Sequence, residues 1–353
     1  MNQKMKKAWQ IFNIALLSFG FLYIFYLANN EGLSYAIEYV CGFACGFLFA
    51  PAFHEIGQVA FADLFDMECV YVKIFCLEFK RINGKWEVSF VSVFADDQTQ
   101  VVPTRGGDMQ KRAEGYTLGG LMFSGFILLC IFVAAMIFSV LGYTNYLLWG
   151  LIPYNAYLLL LNLAPVEYEG GKTDTLVYLG LKNGYDAEKN MLAAMEIQGQ
   201  LYEGKSFSQI DESLYFEQPV LCEDEPLFAV MLDLRYRYYL EKGDMEQAAK
   251  TLNRFAQIEE YLSPQELEKI AAEFVYMHAI NENAALAEES AKGCGEYLND
   301  TDSLTACRIC AAFHKVKGEI EEAKLCIEQA LDAMANERMA GVRKFEEILL
   351  SRI

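Results

Sequence analysis

Positively charged residues are scarce in this sequence. Lys and Arg number 29 against 48 Asp and Glu, which gives a formal net charge of −19 at pH 7. The imbalance is concentrated after position 174, where 18 basic residues face 33 acidic ones. Proteins that bind nucleic acid use Lys and Arg to neutralise phosphates, so nucleic acid is excluded as an expected partner. A solvated acidic surface is the simplest meaning of this charge.

A disulfide framework and a leader cleavage site are also missing. The ten cysteines lack the spacing of secreted domains, so we expect them to be reduced. Cys307 and Cys310 form one C-x-x-C within a helical pattern, without a second pair, which favours ordinary structural thiols. No small-residue cleavage site follows the first apolar stretch, which is too long for a signal peptide core. That stretch is therefore read as a membrane span.

Long apolar runs dominate the first half of the chain. Crossing a bilayer takes about 20 apolar residues at 1.5 Å rise per residue. Four runs meet or approach this length and predict spans at 9–28, 33–57, 116–141 and 146–163. Lys4, Lys6 and Lys7 precede the first span, and Lys and Arg occur between the second and third, which by the positive-inside rule puts both termini in the cytoplasm. We expect an integral protein of the cytoplasmic membrane, embedded in the lipid bilayer.

The loop between the second and third spans is strand-like. Residues 70–81 and 85–94 are rich in Val, Ile and Phe, and they flank Asn83-Gly84, the strongest short hairpin signal. The sequence therefore predicts a cytoplasmic β-hairpin over about 70–94. Its open edge either pairs with an extended peptide or packs on the membrane domain for structure alone.

The second half predicts helices with a faint internal repeat. Gly243-Asp244 and Gly318-Glu319 each precede an Ala that lies five positions after the Gly, and 281–287 is a weaker copy. Units of about 37 residues resemble a divergent tetratricopeptide-like array, which implies a module for protein partners. A plain helical bundle is the alternative. The expected fold is mainly α, with a polytopic membrane bundle in 1–180 and a soluble helical domain in 181–353.

Ionisable residues inside a span are costly and therefore point to function. The second span contains His54 and Glu55, and Gly42, Gly46 and Ala50 share a helix face with His54. Small residues at every fourth position let a neighbouring helix approach closely. We therefore expect His54 to point into the bundle, where a structural hydrogen bond to another span is its simplest role.

Residues 54–58, His-Glu-Ile-Gly-Gln, differ at one position from H-E-x-x-H. In that motif two His residues one helical turn apart bind zinc, and the Glu acts as general base on the metal-bound water. A second segment follows the fourth span, with Asn162 and Pro165 ahead of Gly-Gly-Lys-Thr-Asp174. Together the two segments resemble the site-2 protease family of intramembrane zinc metallopeptidases.

The resemblance implies a role for each matching residue. His54 and Asp174 would be zinc ligands, Glu55 would be the catalytic base, and Asn162 and Pro165 would form the family's Asn-x-x-Pro motif. The substrate would be a transmembrane segment of another protein. The match extends from about the second span to the residues that follow the fourth.

The sequence departs from the family pattern at two positions. Gln58 stands where the second zinc-binding His belongs, and Thr175 replaces the Gly after the Asp. An amide oxygen is a poor substitute for imidazole at zinc, so Glu167 or Glu169 would have to complete the site. One hypothesis is therefore a site-2-protease-like metallopeptidase homologue that cuts or only binds transmembrane segments. The other is a non-enzymatic, membrane-anchored scaffold that presents the helical domain to protein partners.

Overall fold

A computed structural model describes residues 3–82, 85–92, 98–168 and 171–353. The chain divides into two compact units. The first, which we call the membrane unit, comprises Met1–Val102 and Asp108–Tyr185. The second, the helical unit, comprises Pro103–Gly107 and Asp186–Ile353.

Four long helices build the membrane unit: α1 (Gln3–Asn30), α2 (Leu33–Leu64), α3 (Met109–Val140) and α4 (Tyr146–Leu163). Each is long and apolar enough to cross a membrane, which agrees with the predicted number of spans. Large apolar side chains such as Phe19 and Leu129 are exposed on the outside of the unit. Continuous apolar surface of this kind is typical of side chains that face lipid.

Helix α2 packs against α3 and α4 through small residues, as its sequence predicts. Gly42 lies against the backbone of Leu147 on α4, so closely that a Cβ would collide with the carbonyl oxygen. Near the other end of α2, a Cβ at Gly57 would come within 2.7 Å of the Gly119 carbonyl oxygen on α3. Gly46, Ala50 and His54 are buried on this helix as well. Close backbone approach therefore fixes the position of the His-Glu pair.

The loop between α2 and α3 forms a four-stranded antiparallel sheet in place of a lone hairpin. Its strands are β1 (Met67–Ile74), β2 (Leu77–Ile82), β3 (Lys85–Phe90) and β4 (Gln98–Pro103), in the order β3-β2-β1-β4. The register of β2 with β3 pairs Ile82 with Lys85, and the predicted turn at Asn83-Gly84 lies outside the described residues. The predicted strand 70–81 is wrong in one respect, because the chain reverses at Phe75, whose φ is 57°.

Three short elements follow α4 in the membrane unit. They are β5 (Glu167–Tyr168), β6 (Gly171–Lys172) and α5 (Asp174–Asn183). The helical unit then consists of α6 (Asp186–Tyr202), α7 (Ser213–Phe216), α8 (Pro226–Lys242), α9 (Met245–Ala256), α10 (Pro264–Ile280), α11 (Ala284–Ala291), α12 (Leu304–Lys317), α13 (Ile320–Asn336) and α14 (Ala340–Leu350). Aromatic side chains fill its core, among them the fully buried Tyr215, Tyr236 and Phe345.

Three consecutive helix pairs in this unit are α8 with α9, α10 with α11, and α12 with α13. Similar turns join the two helices within each pair. In each turn one residue has left-handed backbone: Gly243 and Gly318 directly follow their helices, and Glu282 comes two residues after the end of α10. Glycine adopts that conformation at little cost and commonly ends helices. An alanine five positions later is buried on the second helix in each pair: Ala248, Ala287 and Ala323.

Candidate functional site

His54 lies on the buried face of α2, in the space between α2 and α3. Its exposed fraction is 7%. Helix α3 approaches the imidazole at Gly120, where a Cβ would lie 2.5 Å from His54 Cε1. Ser124 is one helical turn further along α3, and its Oγ is 3.4 Å from His54 Nδ1. A glycine is therefore needed at position 120 for the ring to fit.

Asp174 reaches the same place from the chain segment after α4. The preceding residue, Thr173, fixes that segment because its Oγ1 donates to the Ala164 carbonyl oxygen at 2.6 Å and accepts from the Val166 N–H at 3.2 Å. Asp174 is the first residue of α5, and its Oδ2 lies 3.0 Å from His54 Nε2. Among the described residues this oxygen has no hydrogen-bond partner. His54 and Asp174 are thus in close contact without an aligned hydrogen bond, while Ser124 is within hydrogen-bond distance of Nδ1.

Gln58 follows His54 by one turn of α2. Its Nε2 is 3.5 Å from His54 Nε2, and its Oε1 is 3.2 Å from the Tyr116 hydroxyl on α3. The same hydroxyl is 3.1 Å from the Thr99 carbonyl oxygen on β4. Tyr116 therefore shares its proton between a side chain of α2 and the main chain of β4.

Glu55 is buried beside His54 and faces the sheet. Its exposed fraction is 6%. The carboxylate oxygen Oε2 accepts a hydrogen bond from the Thr99 hydroxyl. The residue that the resemblance assigns as general base is therefore in contact with an extended strand of its own chain.

Of the other predicted residues, those that the structure describes make no hydrogen bond to this cluster. Asn162 donates from Nδ2 to the Leu158 carbonyl oxygen of its own helix at 3.4 Å, and Pro165 follows the end of α4. Glu167 is exposed in β5, and Glu169 lies outside the described residues. Sequence reasoning missed Thr99, Tyr116, Ser124 and Thr173. Their only signal is a hydroxyl group within or beside an apolar segment, which many structural residues share.

The described residues supply two of the three side-chain ligands that a catalytic zinc ion uses. Such sites use three side-chain ligands, typically imidazole, thiolate or carboxylate, and leave a fourth position for water. Within 3–82, 85–92, 98–168 and 171–353, no three His, Cys, Asp or Glu side chains are placed to hold a metal. His54 and Asp174 would be two good ligands. The third position belongs to Gln58, whose amide nitrogen faces the imidazole and whose oxygen faces Tyr116.

Comparison with family models, curated proteins and solved structures gives no match to this chain. The function has to be argued from the site itself. Its chemistry is that of a buried imidazole–carboxylate pair with a second carboxylate one position along the helix. These groups are surrounded by apolar helices, where a polar group without a hydrogen-bond partner is costly. The site therefore favours ligands that offer polar main-chain groups or hydroxyl groups.

Proposed function

We propose that this protein is a site-2-protease-like membrane protein that binds a transmembrane segment of another protein without cutting it. The pairing of His54 on α2 with Asp174 after α4 carries the proposal, with Nε2 and Oδ2 3.0 Å apart. These are the two residues that the family resemblance assigns to the metal. Glu55, the assigned base, is buried beside them.

Binding without hydrolysis follows from the change at position 58. Three ligands are needed to hold a catalytic zinc, and an amide is a weak one. The remaining polar groups are still valuable to a ligand, because a peptide group in an apolar bundle loses its hydrogen bonds to water and must find others. His54, Asp174 and Glu55 offer such partners to a segment that leaves the lipid. A transmembrane segment with an interrupted helix is the ligand class that this favours.

Zinc content tests the proposal. Purified wild-type protein in detergent should hold much less than one zinc per chain, and Gln58→His should raise zinc affinity by at least the roughly 10–100-fold that surrounding-shell changes produce. Gln10→His, which adds an imidazole to α1, is the matched control and should leave zinc binding unchanged. Asp174→Ala should cancel the gain of Gln58→His.

Cleavage of a model transmembrane substrate is measured in parallel. Wild type should leave it intact. One zinc per wild-type chain together with cleavage that Glu55→Gln abolishes would show an active metallopeptidase and overturn the proposal. In that case Glu169 is the first residue to examine as the missing ligand.

In the same proposal the helical unit binds protein partners, and both termini lie in the cytoplasm. Three helix pairs joined by similar turns support the role of the helical unit. Tetratricopeptide-like arrays also stack helix pairs, and the stacked pairs form a peptide-binding surface. Reporter fusions after Ile353 should report a cytoplasmic C-terminus. If wild type binds no transmembrane segment, the spans only anchor the helical unit and the scaffold hypothesis is favoured; if it binds one and His54→Ala leaves that binding unchanged, the segment does not bind at this site.

A further inference from the structure

Strand β4 lies at the candidate site as an extended peptide would. It pairs with β1 on one side, and its other edge has no strand partner among the described strands. Thr99 is half-buried, whereas its neighbours Gln98 and Gln100 are exposed. Thr99 is therefore placed to contact the site.

Thr99 uses both its side chain and its main chain there. Its hydroxyl donates to Glu55 Oε2, and its carbonyl oxygen lies 3.1 Å from the Tyr116 hydroxyl. Tyr116 and Glu55 belong to different helices, α3 and α2. Together they form a receptor for one residue of extended chain that carries a hydroxyl group. A residue in a regular helix does not fit this receptor, because its carbonyl oxygen is already bonded within the helix.

We propose that Glu55 and Tyr116 recognise a Ser or Thr residue in an unwound segment of a bound partner, and that Thr99 of β4 is an internal ligand which the partner must displace. This rests on the proposed function, since it names the ligand of the same site. The internal ligand lowers the apparent affinity for the partner, because binding then requires a conformation in which Thr99 has left.

Hydrogen exchange tests whether Thr99 holds β4 at the site, and it needs no added peptide. In full-length protein in nanodiscs, the amides of 98–102 should exchange slowly. Thr99→Val, which removes the hydroxyl but keeps the shape, should speed their exchange severalfold. Thr99→Ser should restore slow exchange, and Gln100→Ala is the control on an exposed neighbour. Equal exchange in wild type and Thr99→Val overturns the internal-ligand inference, whatever the site binds.

A labelled transmembrane peptide with a central Pro-Gly break followed by Thr tests the ligand class. Thr99→Val removes the internal hydrogen bond to the Glu55 carboxylate with which the peptide has to compete. Because a hydrogen bond to a charged group is a strong one, this variant should bind the peptide about tenfold more tightly than wild type. The same peptide with Val in place of Thr should bind less tightly to every variant, and Glu55→Gln should reduce the difference. If both peptides bind equally well, recognition of a hydroxyl is refuted while segment binding stands. If neither binds wild type or Thr99→Val, the proposed function fails too.

Discussion

The two units bury charged groups in different ways. In the helical unit, Arg308 is inaccessible and donates from Nε to Glu346 Oε2 at 2.6 Å and from Nη2 to Glu273 Oε1 at 2.8 Å. The two carboxylates are themselves bonded to Tyr236 and Thr305. In the membrane unit, Asp174 Oδ2 has only His54 as a polar partner among the described residues.

The difference separates a structural cluster from a candidate binding site. Charges that are bonded on several sides hold helices in register and leave little for a ligand to gain. The pair of His54 and Asp174 retains capacity for another donor, and Glu55 is bonded to β4, whose other edge has no partner among the strands that the structure describes. Perturbed or incompletely bonded charges concentrate at functional sites. In the helical cluster one donor, Arg308 Nη1, also has no hydrogen-bond partner among the described residues, but Arg308, Glu273 and Glu346 each have two partners.

The largest expected effect is in the helical cluster. Arg308→Leu leaves Glu273 and Glu346 buried without their counter-charge, which should lower the free energy of unfolding by about 3–5 kcal/mol. The measurement is urea unfolding of residues 186–353, which we expect to fold alone with a helical circular dichroism spectrum. The control is Arg254→Leu, because Arg254 and Glu223 form an exposed pair, and exposed pairs contribute about 0–1 kcal/mol. Equal losses would show that the buried cluster is not structural.

A smaller loss of stability is expected from a substitution at the point where α3 contacts the His54 imidazole. In Gly120→Ala the new Cβ would lie 2.6 Å from His54 Nε2, so the ring or the helix has to shift, at a cost of about 1–3 kcal/mol. Thermal unfolding in detergent should show the loss, and Gly120→Ala should also cancel the zinc affinity gained by Gln58→His. Gly125→Ala is the control on the same helix, because its Cβ would meet only Leu159 Cδ2, at 3.9 Å. If both variants behave like wild type, the ring is not tightly held.

The spans and the inward face of α2 could be predicted from sequence because apolar length and small-residue spacing are local properties. The sheet was predicted only in part. The reversal at Phe75 uses left-handed backbone at a residue that is neither Gly nor Asn, so it lacks the usual turn signal. Strand β4 begins Gln-Thr-Gln and lacks the apolar alternation by which strands are recognised.

The residues of the candidate site could also be predicted only in part. His54, Glu55 and Asp174 were found because charges near spans are rare and match a motif. Thr99 is on β4, whereas Tyr116 and Ser124 are on α3, and nothing in their local sequence indicates that they meet at α2. Only tertiary packing decides which of many hydroxyl groups becomes a partner of a buried charge.

Thiol reactivity in the helical unit also sharpens the contrast between closed and open regions. Burial raises the pKa of Cys310 to about 12 and that of Cys307 to about 11, and the Cys310 thiol donates to the Leu298 carbonyl oxygen at 3.0 Å. Because the thiolate is the nucleophile, iodoacetamide at pH 8 should label Cys310 at least about 100-fold more slowly than an ordinary exposed thiol. Cys222, which is exposed, serves as the internal standard in the same digest.

Labelling of Cys310 should accelerate as the pH rises toward 10, while the helical spectrum is unchanged. Fast labelling of Cys310 at pH 8 in folded protein would mean that its pocket is open, and the C-x-x-C would then have to be reconsidered as a reactive site.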